Sequence, residues 1–106
     1  MGNTWITDMR HYLDDAGHLP EDMPGPALGL AQFLGSIVEW VTSHPPGRFE
    51  RTNVRCRRSP RRRRCLGDIY ARFEESRGVI AWHCPFCADN GFTRGWEGTI
   101  WDRRQE

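Results

Sequence analysis

Four cysteines fall into two pairs, and their spacing is the strongest chemical signal in this sequence. The pairs are Cys56-x8-Cys65 and Cys84-x2-Cys87, with eighteen residues between them. Zinc in structural sites takes four thiolate or imidazole ligands in tetrahedral geometry, and short chains supply these ligands from paired turns. The spacing therefore predicts that Cys56, Cys65, Cys84 and Cys87 bind one structural Zn²⁺.

The two pairs differ in regularity. In "CPFCADNG", residues 84–91, Pro85 suits a tight turn, and Asn90 and Gly91 tolerate the left-handed backbone that directs N–H groups at sulfur. The first pair encloses "RRSPRRRR", which is longer than the usual two to four residues. Whether the first pair binds the same metal as the second is left open by the sequence.

The Cys-Pro-Phe-Cys motif has a second interpretation as the dithiol of a redox enzyme. Thioredoxin-like enzymes place a helix after the dithiol, and the N-terminus of that helix lowers the thiol pKa. Only nineteen residues follow Cys87, they are punctuated by glycine, and the other two cysteines would have no role. A further alternative is four reduced cysteines that bind nothing. Four thiolates saturate zinc and no nucleophile–base pair is evident, so we predict a protein that is not an enzyme.

Nine arginines lie between Arg48 and Arg64, against the single acid Glu50. A cluster of guanidinium groups attracts polyanions and can bind phosphates bidentately. Because no base-reading motif accompanies it, we expect contact with a DNA or RNA backbone. The residues predicted to bind nucleic acid are Arg55, Arg57, Arg58, Arg61, Arg62, Arg63 and Arg64. The alternatives are a solvated loop that offsets the charge of the zinc site, or one that pairs with the acidic half of the chain.

The charge of the chain is divided between two halves. Residues 1–47 carry one arginine and six acids, whereas residues 48–106 carry fourteen arginines and eight acids. All fifteen basic residues are arginine, a bias that suits a GC-rich bacterial genome. No stretch reaches the roughly 20 apolar residues that span a bilayer, and the N-terminus lacks the pattern of a signal peptide. We therefore predict a cytoplasmic protein, in which free cysteines bind metal, with no membrane partner and no small-molecule substrate.

Two helices are predicted in the acidic half. The segment "TWITDMRHYLDD", residues 4–15, indicates a short helix with Thr7 as N-cap. A longer helix is predicted from Pro26 to Ser43, because apolar residues recur there at helical spacing. The apolar stripe consists of Leu30, Phe33, Leu34, Ile37, Val38 and Val41. Gly35 in its interior indicates that another element packs closely against the helix.

The basic half shows the period-two alternation of strands. An antiparallel hairpin is predicted over residues 66–82, with a turn at "EESRG". Its apolar face consists of Ile69, Ala71, Phe73, Ile80 and Trp82. Residues 50–56 are predicted to form a third strand, and the tail from Gly91 to Asp102 another strand or a packed loop. Of the five tryptophans, Trp5 is the best candidate for an exposed position.

The segments "RCRRSPRRRRC", residues 55–65, and "CPFCADNGFTRGWEGTIWD", residues 84–102, resemble a family of small, uncharacterised bacterial proteins. That family has a zinc-ribbon-like Cys-Pro-x-Cys knuckle and a Gly-Trp-x-Gly-Thr-x-Trp-Asp tail, and the resemblance covers most of the chain. It implies no activity, because none is assigned to the family. Zinc-ribbon knuckles usually read Cys-x2-Cys-Gly, and Ala88 stands at that glycine position here.

The sequence thus predicts one α+β domain, residues 1–106. N-terminal helices, in the acidic residues 1–47, are expected to pack on a small antiparallel zinc-ribbon-like sheet in residues 48–106. The predicted function is a zinc-binding module that contacts nucleic acid through the arginine-rich loop between two ligands. One alternative is a protein–protein adaptor with a purely structural zinc, which binds through an acidic helical face or the aromatic tail. The third is a dithiol redox protein.

Overall fold

The computed structural model describes residues 4–44, 48–58 and 63–104. In chain order the elements are β1 (Thr4–Asp8), a 3₁₀ helix (Met9–Tyr12), α1 (Gly25–Thr42), β2 (Glu50–Arg55), β3 (Asp68–Glu74), β4 (Val79–His83) and β5 (Asn90–Arg94). The strands form one sheet in the order β1-β5-β4-β3-β2. Neighbouring strands from β2 to β5 are antiparallel, whereas β1 runs parallel to β5. The α+β class is confirmed, but the sheet is mixed rather than antiparallel throughout.

The predicted first helix is wrong, because the chain begins with an edge strand. Trp5, Ile6 and Thr7 are aromatic or β-branched, and such side chains favour strands. The strand pairs with β5, so that Trp5 lies opposite Gly91. Asp8, rather than Thr7, then caps the short 3₁₀ helix, since its carboxylate accepts a hydrogen bond from the Arg10 N–H. Within the described residues, α1 is the single α-helix.

The predicted long helix is confirmed, to within one residue at each end. The middle and end of its apolar stripe are buried, from Leu34 to Val41, and α1 packs over β2, β3 and β4. A Cβ at Gly35 would overlap the indole of Trp101, which confirms the close approach predicted there. In the described part of the chain, no helix has both the length and the apolar character needed to cross a bilayer.

The predicted hairpin is also confirmed, as β3 and β4. Ala71 lies opposite Trp82 in its register, and both side chains face the core beneath α1. Gly78 closes the turn at a φ of 65°, in the left-handed region that glycine adopts without strain. The tail supplies both predicted alternatives, since β5 is followed by a loop in which Trp96 and Trp101 are buried. The core therefore lies between α1 and one face of the sheet.

Candidate metal centre

The topology of the sheet brings the four cysteines to one end. Cys56 follows β2 and Cys65 precedes β3, while Cys84 follows β4 and Cys87 precedes β5. We call the segment between β2 and β3 (residues 56–67) the first cysteine loop, and that between β4 and β5 (residues 84–89) the second. Alternate connections of an antiparallel sheet lie at the same end of its strands, so both loops meet there.

The geometry of the four sulfur atoms suits a single metal ion. All four Sγ atoms lie within 4.8 Å of one another. Cys56 Sγ lies 3.7 Å from Cys87 Sγ, and Cys65 Sγ lies 3.6 Å from Cys84 Sγ. In a regular tetrahedron with a Zn–S distance of about 2.3 Å the sulfur atoms lie about 3.8 Å apart, close to these two shortest separations. The four predicted ligands are thus brought together, and they can hold one ion.

Both cysteine loops are closed by backbone hydrogen bonds. The Cys56 N–H donates to the Gly67 carbonyl at 3.0 Å, and the Cys84 N–H donates to the Asp89 carbonyl at 2.7 Å. Gly67 also donates its N–H to Cys65 Sγ at 3.5 Å. A Cβ at Gly67 would lie 2.7 Å from Cys84 Sγ, so only glycine leaves room for that sulfur. These hydrogen bonds and the close approach at Gly67 therefore help to hold the four sulfur atoms together.

Ala88 adopts the left-handed conformation of the second cysteine loop, with a φ of 63°. Its N–H donates to the Cys84 carbonyl at 2.9 Å and closes the knuckle. The prediction that Asn90 and Gly91 supply this conformation is wrong, because both residues belong to β5. Gly91 is needed for a different reason, since a Cβ there would lie 2.6 Å from the Trp5 carbonyl oxygen. Ala88, at the position where the zinc-ribbon pattern usually has glycine, thus has a backbone conformation that glycine favours.

Thiol ionisation differs across the cluster. Burial raises the pKa of the Cys56 thiol and of the Cys84 thiol. Burial acts in the same direction on Cys65, but the Gly67 N–H and the neighbouring cysteines outweigh it and lower the pKa of that thiol. Cys65 is consequently the first of these three thiols to ionise. Because metals bind thiolates, metal binding must displace protons and will weaken as the pH falls.

The arrangement does not favour the dithiol hypothesis. The sulfur contacts of Cys84 and Cys87 are with the cysteines of the first loop. Strand β5 follows Cys87, whereas a redox dithiol has a helix N-terminus in that position.

The arginines predicted to bind nucleic acid do not share one environment. Arg55 forms an ion pair with Asp68 at 3.4 Å, and Arg58 forms one with Asp89 at 3.1 Å. The others lie in three settings: Arg57 is over the ring of Phe33, Arg63 and Arg64 are exposed, and Arg61 and Arg62 lie outside the described residues. Among the residues that the structure describes, Arg63 and Arg64 form no ion pair. Part of the cluster therefore pairs with the chain's own acids, but Asp68 and Asp89 belong to residues 48–106 and not to the acidic half that the alternative named.

Asp89 was missed by the sequence analysis. The residue is 8% exposed, and its carboxylate accepts hydrogen bonds from Trp5 Nε1 at 3.0 Å and from Arg58 at 3.1 Å. It thereby connects the edge strand, the first cysteine loop and the second. Its position two residues after Cys87 was the available signal, because an acid next to a thiolate cluster needs a cationic partner.

Two apolar side chains at the metal end were also missed. Leu66 and Phe86 are 72% and 75% exposed, one in each cysteine loop. The first follows Cys65 directly, and the second lies between Cys84 and Cys87. In short loops whose cysteines point inward, neighbouring side chains must point outward, and this was the signal.

No protein-family model, curated protein or solved structure gives a match to this chain. Its function must therefore be inferred from the geometry of the cysteine cluster and of the side chains around it.

Proposed function

We propose that this protein is a zinc-binding module that contacts the phosphate backbone of nucleic acid. The observation that carries the proposal is the cluster of four sulfur atoms, which joins the two cysteine loops at one end of the sheet. An ion held by all four sulfur atoms would fix both ends of the arginine-rich segment. The metal would act on structure, since four thiolates leave no coordination position for a substrate.

Zinc is the metal that best suits this donor set. Four thiolates at tetrahedral spacing favour zinc or an iron–sulfur centre over magnesium, calcium or manganese, which prefer oxygen ligands. Two pairs of ligands on two loops at one end of an antiparallel region is a zinc-ribbon-like arrangement. It agrees with the resemblance of the Cys-Pro-x-Cys segment and the tryptophan-rich tail to a family of small bacterial proteins.

The charge around the cluster supports both parts of the proposal. Zn²⁺ with four thiolates carries a net charge of about −2, and nearby cations stabilise thiolates. Arg58 already has Asp89 as its partner, so it offsets little of this charge. Arg63 and Arg64, next to Cys65, are exposed and form no ion pair among the described residues. These two guanidinium groups are available to bind phosphate bidentately.

The test is binding of zinc-loaded protein to unrelated DNA and RNA duplexes across a series of salt concentrations. Each phosphate contact contributes a slope of about −0.9 to the plot of log K against log salt for duplex DNA. Arg63→Ala with Arg64→Ala should weaken binding and flatten that slope by about 1.8 if both side chains contact phosphate. The weakening should be similar for unrelated sequences, because phosphate contacts carry no base information.

The matched control is Arg77→Ala with Arg94→Ala. Both arginines are exposed and form surface ion pairs, and their replacement removes the same total charge from the β3–β4 turn and the end of β5, away from the cysteine loops. We expect this control to change the salt slope by less than the loop variant does. Equal slopes for the two variants, or no binding by the wild-type protein, would count against the nucleic-acid proposal while leaving the metal centre intact.

A protein adaptor is the second candidate function, and exposed apolar surface at the metal end favours it. Leu66 and Phe86 place two apolar side chains beside Arg63 and Arg64, a combination that suits an acidic partner with an apolar contact. The surfaces expected from the sequence fit less well. The tail tryptophans Trp96 and Trp101 are buried.

The two candidates separate in a co-purification experiment with quantitative mass spectrometry. A protein partner that survives nuclease treatment and is lost with Leu66→Ser and Phe86→Ser would support the adaptor. Loss of all partners upon nuclease treatment would support nucleic-acid binding.

A further inference from the structure

A partly open cavity of about 270 Å³ lies between the first half of α1 and β1, beside the cysteine loops. It exists because α1 packs over β2, β3 and β4, near the edge of the sheet that is opposite to β1. Its lining comes from distant parts of the chain, including Trp5, Leu30, Arg57 and Trp82. No local sequence pattern could therefore have indicated it, and no small-molecule ligand was expected from the sequence.

The walls of the cavity are apolar and largely aromatic. Trp5, Phe33 and Trp82 contribute rings, and Leu30 contributes aliphatic surface. Phe33 packs edge-on against Trp82 with ring centres 5.7 Å apart, so these two walls are fixed relative to each other. An apolar cavity of about 150 Å³ is large enough to hold benzene, and drug-sized ligands occupy pockets of about 300–1,000 Å³. The cavity therefore suits a ligand with about two fused rings.

One polar group on the lining is already satisfied within the protein. The Asp89 carboxylate accepts hydrogen bonds from Arg58 and from the indole N–H of Trp5. The ion pair between Arg58 and Asp89 is neutral in sum, and it holds Trp5 in place as a wall. A ligand thus meets a preformed wall at this end of the cavity. A charged group placed next to the Arg58–Asp89 ion pair would add little to its affinity.

Arg57 is the charged group on the lining that remains available to a ligand. Its guanidinium lies 5.9 Å from the centre of the Phe33 ring, at the edge of the cavity. Among the described residues, no carboxylate lies within ion-pair distance of Arg57. Ligand pockets typically combine apolar walls with a few polar groups that fix orientation. Here the walls would hold a flat apolar body, and the Arg57 guanidinium would bind one anionic group.

We propose that this cavity binds a small, planar, apolar molecule that carries a single anionic group, with the rings between Trp5 and Phe33 and the anion on Arg57. A carboxylate and a phosphate ester both satisfy this chemistry. The site is separate from the proposed function, since it needs neither nucleic acid nor an ion on the cysteines.

Isothermal titration calorimetry with 2-naphthoate, on zinc-loaded full-length protein, tests the proposal. We expect binding of one molecule per chain. The uncharged analogue 2-naphthalenemethanol should bind about tenfold or more weakly, because it loses a charge-assisted contact with Arg57. Arg57→Met should weaken the binding of 2-naphthoate by a similar factor and leave the affinity for the uncharged analogue nearly unchanged. 2-Naphthyl phosphate in a parallel titration distinguishes the source: tighter binding than 2-naphthoate indicates a phosphate ester, and weaker binding indicates a carboxylate.

Two further variants separate the site from general electrostatic attraction. Arg51→Met removes an exposed positive charge from β2, outside the cavity, and should leave 2-naphthoate binding unchanged. Leu30→Phe narrows the cavity and should weaken both aromatic probes, with circular dichroism showing that the fold is retained. Absence of 2-naphthoate binding by the wild-type protein would overturn the proposal. So would equal losses in Arg51→Met and Arg57→Met, or a folded Leu30→Phe variant that binds both probes as tightly as the wild type.

Discussion

Removing two thiolates from one cysteine loop should abolish the response of this protein to zinc. In the proposed site each loop contributes two ligands, and the closest sulfur contacts cross between the loops at 3.6 Å and 3.7 Å. Cys56→Ser with Cys65→Ser therefore leaves only Cys84 and Cys87, which cannot complete a tetrahedral thiolate site. Zinc would then no longer connect β2 and β3 to β4 and β5.

The expected magnitude comes from the linkage between metal binding and folding. At a free zinc concentration of about 1,000 times the dissociation constant, a ligand that binds only the native state stabilises it by about 4 kcal/mol. For a chain of 106 residues this raises the melting temperature by about 15–25 °C relative to the metal-free protein. The metal-free protein should still fold, because the core between α1 and the sheet includes many side chains distant from the cysteines.

The assay is thermal unfolding followed by circular dichroism under reducing conditions, once with chelator and once with buffered zinc. Metal analysis of the wild type should give one zinc per chain, and the double serine variant should melt at the same temperature in both buffers. Val54→Ala is the control, since Val54 is buried two residues before Cys56 but carries no ligand. This substitution should lower the free energy of unfolding by about 1–3 kcal/mol in both buffers, and zinc should still raise the melting temperature of the variant. The four-cysteine site is refuted if zinc does not change the melting temperature of the wild-type protein, or if zinc still raises the melting temperature of the double serine variant.

Three other substitutions test the packing and charge of the fold. Asp102→Asn should destabilise the protein by about 1–2 kcal/mol at neutral pH, because hydrogen bonding to Arg104 holds the pKa of Asp102 at about 2. Since that pKa is lower than the ordinary value of 3.8, the difference between wild type and variant should disappear as the pH falls from 3.8 through about 2 in urea unfolding. Gly35→Ala should cost about 1–3 kcal/mol in the same assay, because the added methyl group meets the ring of Trp101. Ala88→Gly should stabilise the zinc-loaded protein by about 0.5–1 kcal/mol in thermal unfolding, since it relieves a left-handed backbone.

Matched controls exist for the two backbone substitutions. Gly29→Ala, in the same helix as Gly35, places a methyl group no closer than 3.6 Å to Arg57 and should be neutral or stabilising. Ala27→Gly, in a right-handed helix, should destabilise by about 1 kcal/mol, the opposite sign to Ala88→Gly. Equal effects of the two glycine-to-alanine changes would show that Trp101 can move aside. Loss of stability in Ala88→Gly would show that its backbone carries little strain, and persistence of the Asp102→Asn difference below a pH of about 2 would contradict the charge argument.

The elements predictable from the sequence are those whose signals are local. The apolar stripe of α1 and the alternation of β3 and β4 each lie within a short window, and both were located correctly. The pairing of β1 with β5 is different, because Thr4 lies opposite Asn90, far along the chain. A helical capping pattern at Thr7 competed with the strand preference of Trp5 and Ile6, and only the distant partner decides between them.

The candidate site shows the same division. The spacing of the cysteines and the hairpin that joins the two pairs indicated one site, but they left open whether the irregular first pair shares an ion with the second. Which arginines form ion pairs was not predictable in this way. Arg58 lies in the first cysteine loop and its partner Asp89 in the second, so the pair forms only when the two loops come together. Charge counted along the sequence therefore overestimated the free positive charge at this end of the molecule.

The parallel pairing of β1 with β5 has a consequence for how the chain folds during synthesis. Among the described strands β1 is synthesised before the others and pairs with β5, which is synthesised after them, so Trp5 and Ile6 have no strand partner while α1 and β2–β4 are made. Contacts between residues so distant in sequence form slowly, and unpaired strands expose apolar surface in the meantime. Cys87 lies just before β5, so the fourth sulfur atom and the partner of β1 become available almost together. Closure of the cysteine cluster and docking of the edge strand thus belong to one late step of folding.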